Sequence, residues 1–248
     1  MTWEATLEQN KNYLFRVAQP AEPARVLPFG DPRVDASLPR GGLLLGAVHE
    51  IGTTGLEQEL GAVAGAFVAA LLSRLPVPGS VLWVASVCDL YAPGLGAFGL
   101  DPGRIVTVLA RNDADVLGTM ELALREGGLA AVVGEVAALG RLEGRRLHLA
   151  SGRQGVTAFV LRRAPYGAGA ARVQREGTAV ATRWRVVPAP SRMEGREPGA
   201  PCWQVELLHA RGGREGSWLV EMSDAPGAFR VVSELGNGTA SRRGLRTA

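Results

Sequence analysis

One segment restricts this chain more than any other: a strand–loop–helix unit with the layout of a phosphate cradle and the wrong side chains. Residues 47–51 form a strand-like apolar run behind a glycine turn, and residues 60–75 read as a helix. In that order the first helical amides face the loop, as a nucleotide-binding P-loop requires. Yet the loop reads Gly52-Thr53-Thr54-Gly55-Leu56-Glu57-Gln58-Glu59, without Gly-Lys-Ser/Thr, and the chain's single lysine is Lys11. Losing one charge-assisted lysine–phosphate contact forfeits about 1.5–3 kcal/mol. Glu57 and Glu59 would repel a polyphosphate, and the hydroxyl that follows the lysine and holds magnesium is missing too. Gly52, Thr53, Thr54 and Gly55 therefore form a degenerate nucleotide loop, with no bound ATP, other cofactor or metal expected.

Downstream, apolar strands alternate with helices. Strands are expected at 80–87, 104–109, 129–136 and 156–161, and helices at 91–98, 114–125 and 143–151. Continuous apolar strands between helices predict an α/β fold with a parallel sheet covered on both faces. After residue 177 the pattern changes to alternating strands at 179–187, 202–210, 217–222 and 229–235, joined by Gly/Pro/charge turns. These predict antiparallel strands, so the central sheet is expected to be mixed, with 191–201 a loop.

Residues 2–17 have helical spacing of Trp3, Leu7, Tyr13, Leu14 and Val17, and a Pro/Ala linker at 18–25 separates them from the core. The expected division is an N-terminal helical arm and linker at 1–25, a core domain at 26–236, and a basic tail at 237–248 expected to be disordered. At 46% hydrophobic residues the chain can build a proper core, and its net charge of +3 permits nucleic-acid contact without demanding it. Cys88 and Cys202 match no metal spacing, and no apolar run is long enough to span a bilayer. A cytoplasmic location, reduced thiols and no membrane partner are expected.

The run Leu27-Pro28-Phe29-Gly30, Val34-Asp35, Leu38-Pro39-Arg40-Gly41-Gly42-Leu43, Gly46 and His49-Glu50-Ile51 resembles the opening of RecA-type recombinase cores. The wording LYAPGLGAFGLDPGRIV at 90–106 and ALREGGLAAVVGEV at 123–136 is similar to the ImuA family, RecA-like accessory proteins of error-prone translesion synthesis. The resemblance covers about residues 26–190. It implies a RecA-like core and a role in the SOS response to DNA damage. The partners it implies are an ImuB-like Y-family polymerase homologue and an error-prone replicative-type DNA polymerase, with RecA and single-stranded DNA as further candidates. Two other readings stand beside it. A divergent DNA-dependent ATPase would need the P-loop lysine. A SulA-like cell-division inhibitor acting on FtsZ would be shorter and would lack the LYAPGL…GLDP wording.

Against that resemblance, Glu135 stands where a Walker B acid would hold magnesium, but without a P-loop hydroxyl it is expected to cap a segment or pair with an arginine. Asp89 is a poor substitute for a water-activating base, so no catalytic residue is expected. His49, His148 and His209 share no ligand spacing and are expected to be structural. Arg141, Arg145, Arg146 and Arg153, with Arg162 and Arg163 after the next strand, form the best DNA-binding candidate. An ordinary solvated helix face explains the same residues equally well. Trp3, Leu7, Tyr13, Leu14 and Phe15 resemble the polymerising arm of a recombinase and are expected to dock on a partner.

Overall fold

The computed structural model describes residues 25–54, 57–163, 179–191, 193–194, 197–223 and 227–235. Residues 1–24 of the arm and linker (1–25), Gly55 and Leu56 of the loop, and the whole tail (237–248) lie outside the described residues, and so do the expectations placed on them. In chain order the elements are β1 (Val26–Leu27), α1 (Pro32–Asp35), β2 (Leu43–Leu44), β3 (Val48–Gly52), α2 (Glu57–Ser73), β4 (Val81–Ala85), α3 (Ala92–Leu95) and β5 (Ile105–Leu109). Then follow α4 (Asp113–Glu126), β6 (Ala131–Val136), α5 (Arg141–Gln154), β7 (Thr157–Arg162), β8 (Thr182–Ala189), β9 (Met193–Glu194), β10 (Glu197–Pro198), β11 (Cys202–Ala210), β12 (Gly216–Met222) and β13 (Phe229–Leu235).

The main sheet has nine strands in the order β13-β12-β11-β8-β3-β7-β6-β4-β5. Strands β8, β3, β7, β6, β4 and β5 run parallel, while β11, β12 and β13 continue antiparallel from β8. The expected α/β architecture, RecA-like with a mixed sheet, is what the chain adopts. Parallel strands need crossovers, and α2, α4 and α5 supply them.

Alternate residues of each strand feed two cores. On one face, Ile51, Trp83, Val133, Phe159 and Leu161 pack with α2 and with an aromatic cluster. There Phe29 stacks on Phe229 with ring centroids 4.7 Å apart, and Phe67 meets Trp203 edge-on at 6.2 Å. On the other face, Val48, Val84, Val132 and Val160 pack against Val116, Met120 and Leu124 of α4 and Leu147 and Ala150 of α5.

Two pieces depart from the sequence reading. Residues 191–201, expected as a loop, hold the two-stranded β9–β10 hairpin, and β1 pairs with β2 ahead of the core. Two-residue strands are too short for a period-2 pattern to register.

His49 is completely buried in β3 and is held at both ring nitrogens. Trp184 Nε1 donates to Thr182 Oγ1 (2.7 Å), and Thr182 Oγ1 lies 2.7 Å from His49 Nδ1. His49 Nε2 lies 2.8 Å from the carbonyl oxygen of Leu44. A carbonyl can only accept, so Nε2 carries the proton and Nδ1 accepts from the threonine hydroxyl. Burial holds this imidazole well below its ordinary value, to about 4. The unfolded chain takes up the proton near pH 6.5, the folded chain only near pH 4. Stability therefore falls as pH drops through that window. Urea unfolding at stepped pH should show a loss of about 3 kcal/mol between pH 7 and pH 4 attributable to this group, absent from His49→Gln.

Gly134 in β6 faces Met120, and a β-carbon there would overlap the buried Met120 Sδ. Gly118, inside α4, has open space around that position. Gly134→Ala should cost about 1–3 kcal/mol by overpacking, whereas Gly118→Ala should stabilise by about 0.5–1 kcal/mol. Urea midpoints of the two variants read the opposite signs.

Candidate functional site

The carboxyl ends of β3, β4, β6 and β7 lie side by side, and the segments leaving them frame the crevice in which open α/β sheets hold ligands. In-register pairing puts Gly52 opposite Arg162, and Val136 opposite the same arginine on its other side. Strand alternation then sends Arg162 and Arg163 to opposite faces of the sheet, and each meets its own set of acids.

On the α4/α5 face, Glu50 is buried at 1% exposure between two arginines. Its Oε1 lies 3.2 Å from Arg162 Nη1 and its Oε2 2.9 Å from Arg183 Nε. Arg162 also donates to the Ala137 carbonyl (2.7 Å), while its buried Nε has no acceptor among the described residues.

On the α2 face, Glu135 accepts from Trp83 Nε1 at 2.7 Å through one oxygen and from Arg163 Nη1 at 2.7 Å through the other. Arg163 also donates to both oxygens of Asp89, at 2.9 and 2.8 Å. Hydrogen bonding from Arg163 holds the Asp89 carboxyl below the usual carboxylate range. Glu135 is thus a glutamate whose lone pairs already face an indole and a guanidinium.

Beside this second network opens a cavity of about 670 Å³. Its wall is mainly apolar, with Val63, Leu90, Leu95, Phe98 and Trp203 among the lining residues. Thr53 lines the cavity and, like Thr54, is half-buried, while Gly52 is buried. The Thr53 hydroxyl is buried with no partner among the described residues. Arginines and carboxylates at this edge pair off, so it offers no surplus positive charge to a polyphosphate.

The structure splits the arginines read as one DNA-binding stretch into two places. Arg162 and Arg163 belong to the networks above. Arg141, Arg145, Arg146 and Arg153 are exposed on α5, and Arg146 lies 2.5 Å from Glu121 of α4. Sequence reading missed Glu50, Arg183 and Trp83, which act through pairing across neighbouring strands. Their one sequence signal is position: each sits in a strand of the parallel half. Among the described residues, no cluster of three or more His, Cys, Asp or Glu side chains could hold a metal, and no helix is long and apolar enough to cross a membrane.

Arg163 is the hub of the α2-face network, and Arg163→Ala would leave Glu135 buried with one donor. We expect a loss of about 2–4 kcal/mol in urea unfolding. Adding Glu135→Gln should restore more than about 1 kcal/mol of it in a double-mutant cycle, because no uncompensated charge then remains.

No protein-family model matches the chain. It is 44% identical over 225 residues to Protein ImuA of Caulobacter vibrioides in each of two strains, an alignment covering 86% of this chain and 91% of the relative.

Proposed function

The chain belongs to the ImuA family, and from that premise we propose that it is a non-catalytic accessory protein of SOS-induced mutagenic translesion DNA synthesis. It acts by contact with other proteins: an ImuB-like Y-family polymerase homologue, an error-prone replicative-type DNA polymerase and RecA. Family membership supports the pathway. One structural observation carries the non-catalytic part. Glu135 is engaged by Trp83 and Arg163, so the acid at the Walker B position is committed to protein donors.

Hydrolysis of a nucleoside triphosphate needs cations on the β- and γ-phosphates, a held magnesium and an oriented water. Here the lysine is absent from the loop, and Asp89 is bound bidentately by Arg163. Release of either acid for metal work would break a charge-assisted pair worth more than an ordinary hydrogen bond. The same arrangement disfavours the divergent ATPase reading. The 91% coverage of an ImuA relative disfavours the SulA-like one.

ATP titration by calorimetry with magnesium should give no affinity tighter than about 1 mM. Turnover should stay at the level of a mock preparation with or without single-stranded DNA and RecA filaments. DNA-stimulated hydrolysis that co-purifies with the chain and disappears in Glu135→Gln would sink this reading.

A further inference from the structure

Helix α5 carries an exposed face that its own domain does not use. At about 100° per residue, positions 141, 142, 145 and 149 fall on one arc of the helix. Arg141 and Arg145 are exposed there, and so are Leu142 and Leu149, at 65% and 59%. These two leucines stand two turns apart, the spacing at which one helix presents anchors to another. Buried Leu147 and Ala150 hold the opposite side of α5 on the sheet.

The arc forms one wall of a groove of about 760 Å³, closed on the other side by Ala179 and Arg211. Arg211 donates to the Ala179 carbonyl (3.3 Å) and lies 3.2 Å from His148 Nε2. A guanidinium can only donate, so Nε2 accepts and the proton sits on Nδ1. That Nδ1 is buried and has no acceptor among the described residues. Arg141, Arg145 and Arg211 form no ion pair among the described residues, and no carboxylate lines the groove. Glu121 of α4 is taken by Arg125 and Arg146.

We propose that this groove is the docking surface for an acidic amphipathic peptide of a partner protein. The partner's apolar residues cover Leu142 and Leu149, and its carboxylates pair with Arg141, Arg145 and Arg211. Charge complementarity decides the occupant. Three arginines without acids call for an acidic partner, and a peptide satisfies the leucines as well. Single-stranded nucleic acid would satisfy the arginines but leave the leucines uncovered, because no Phe, Tyr or Trp lines the groove for bases to stack on and its one ring, His148, is half-buried and engaged by Arg211. The chain's own segment 164–178 is net basic, with Arg172 and Arg175 against Glu176, so its charge opposes these arginines. The inference rests on the accessory reading, since it names where one protein contact is made.

The test uses the full chain and two labelled probes followed by fluorescence anisotropy. One is a synthetic helical peptide with leucines spaced two turns apart among glutamates; the other is oligo-dT. The peptide should bind saturably. Leu142→Ser/Leu149→Ser and Arg141→Glu/Arg145→Glu should each weaken it about tenfold or more. Both pairs are exposed, so thermal unfolding should match the parent and exclude misfolding. Binding unchanged in the leucine pair, or no saturable peptide binding, would overturn the proposal. So would oligo-dT binding lost in the arginine pair and kept in the leucine pair, which makes the face a nucleic-acid surface. Replacing 164–178 with a glycine-serine linker separates the internal occupant: peptide binding seen only after that exchange also overturns it. None of these outcomes alters the nucleotide measurements, so this surface and the accessory reading fail separately.

Discussion

A carboxylate buried in the middle of a nine-stranded sheet sets the terms for the rest of this molecule. Glu50 lies in β3, the strand from which the loop to α2 departs. Desolvating a single ionised group costs several kcal/mol unless good geometry repays it. Repayment comes from both neighbours at once, Arg162 of β7 and Arg183 of β8. Since β7 belongs to the crossover strands and β8 is the last parallel strand, on which the antiparallel β11 pairs, one ion ties the crossover strands to the strand that carries the antiparallel end of the sheet. Any register slip by one residue would turn Glu50 to the opposite, aromatic-lined face and leave it unpaired.

Arg162 fixes Arg163 as its neighbour, and strand alternation sends that next side chain to the other face. There it meets Glu135 and Asp89. The two networks are therefore consecutive outputs of one strand end. What would be a site of free charge in a nucleotide-hydrolysing sheet is here a seam of internal pairs. The apolar cavity beside it fits that outcome, because a crevice with compensated charges is best matched to apolar contacts.

The fold was legible because its signals are local: apolar runs for β4, β6 and β7, glycine turns, and the switch to alternation that marks the antiparallel end. The site was legible in what it lacks and in the pairing of Glu135 with an arginine, but not in which arginine or in the network around Glu50. A missing lysine can be read from one line of sequence, whereas the partner of Arg162 lies 112 residues away and that of Arg183 lies 133 residues away. Arg162-Arg163 and Arg145-Arg146 look alike as dipeptides. The first pair ends a buried parallel strand, and the second sits on a helix surface. Burial decides their roles: Arg162 retains 12% of its side-chain exposure, Arg146 57%.

The contrast between these two arginine groups also shows where contact with other molecules belongs. At the strand ends, positive charge is spent inside the protein, and withdrawing it would strand buried acids. On α5, Arg141 and Arg145 have water as their alternative, so engaging an outside carboxylate requires no internal pair to break. Surface ion pairs alone are worth little, about 0–1 kcal/mol each. The neighbouring leucines change that sum, because covering them removes apolar area from water at about 25 cal/mol per Å². Specific association at this face therefore depends on the leucines for strength, while the arginines select the sign of the partner's charge and its orientation.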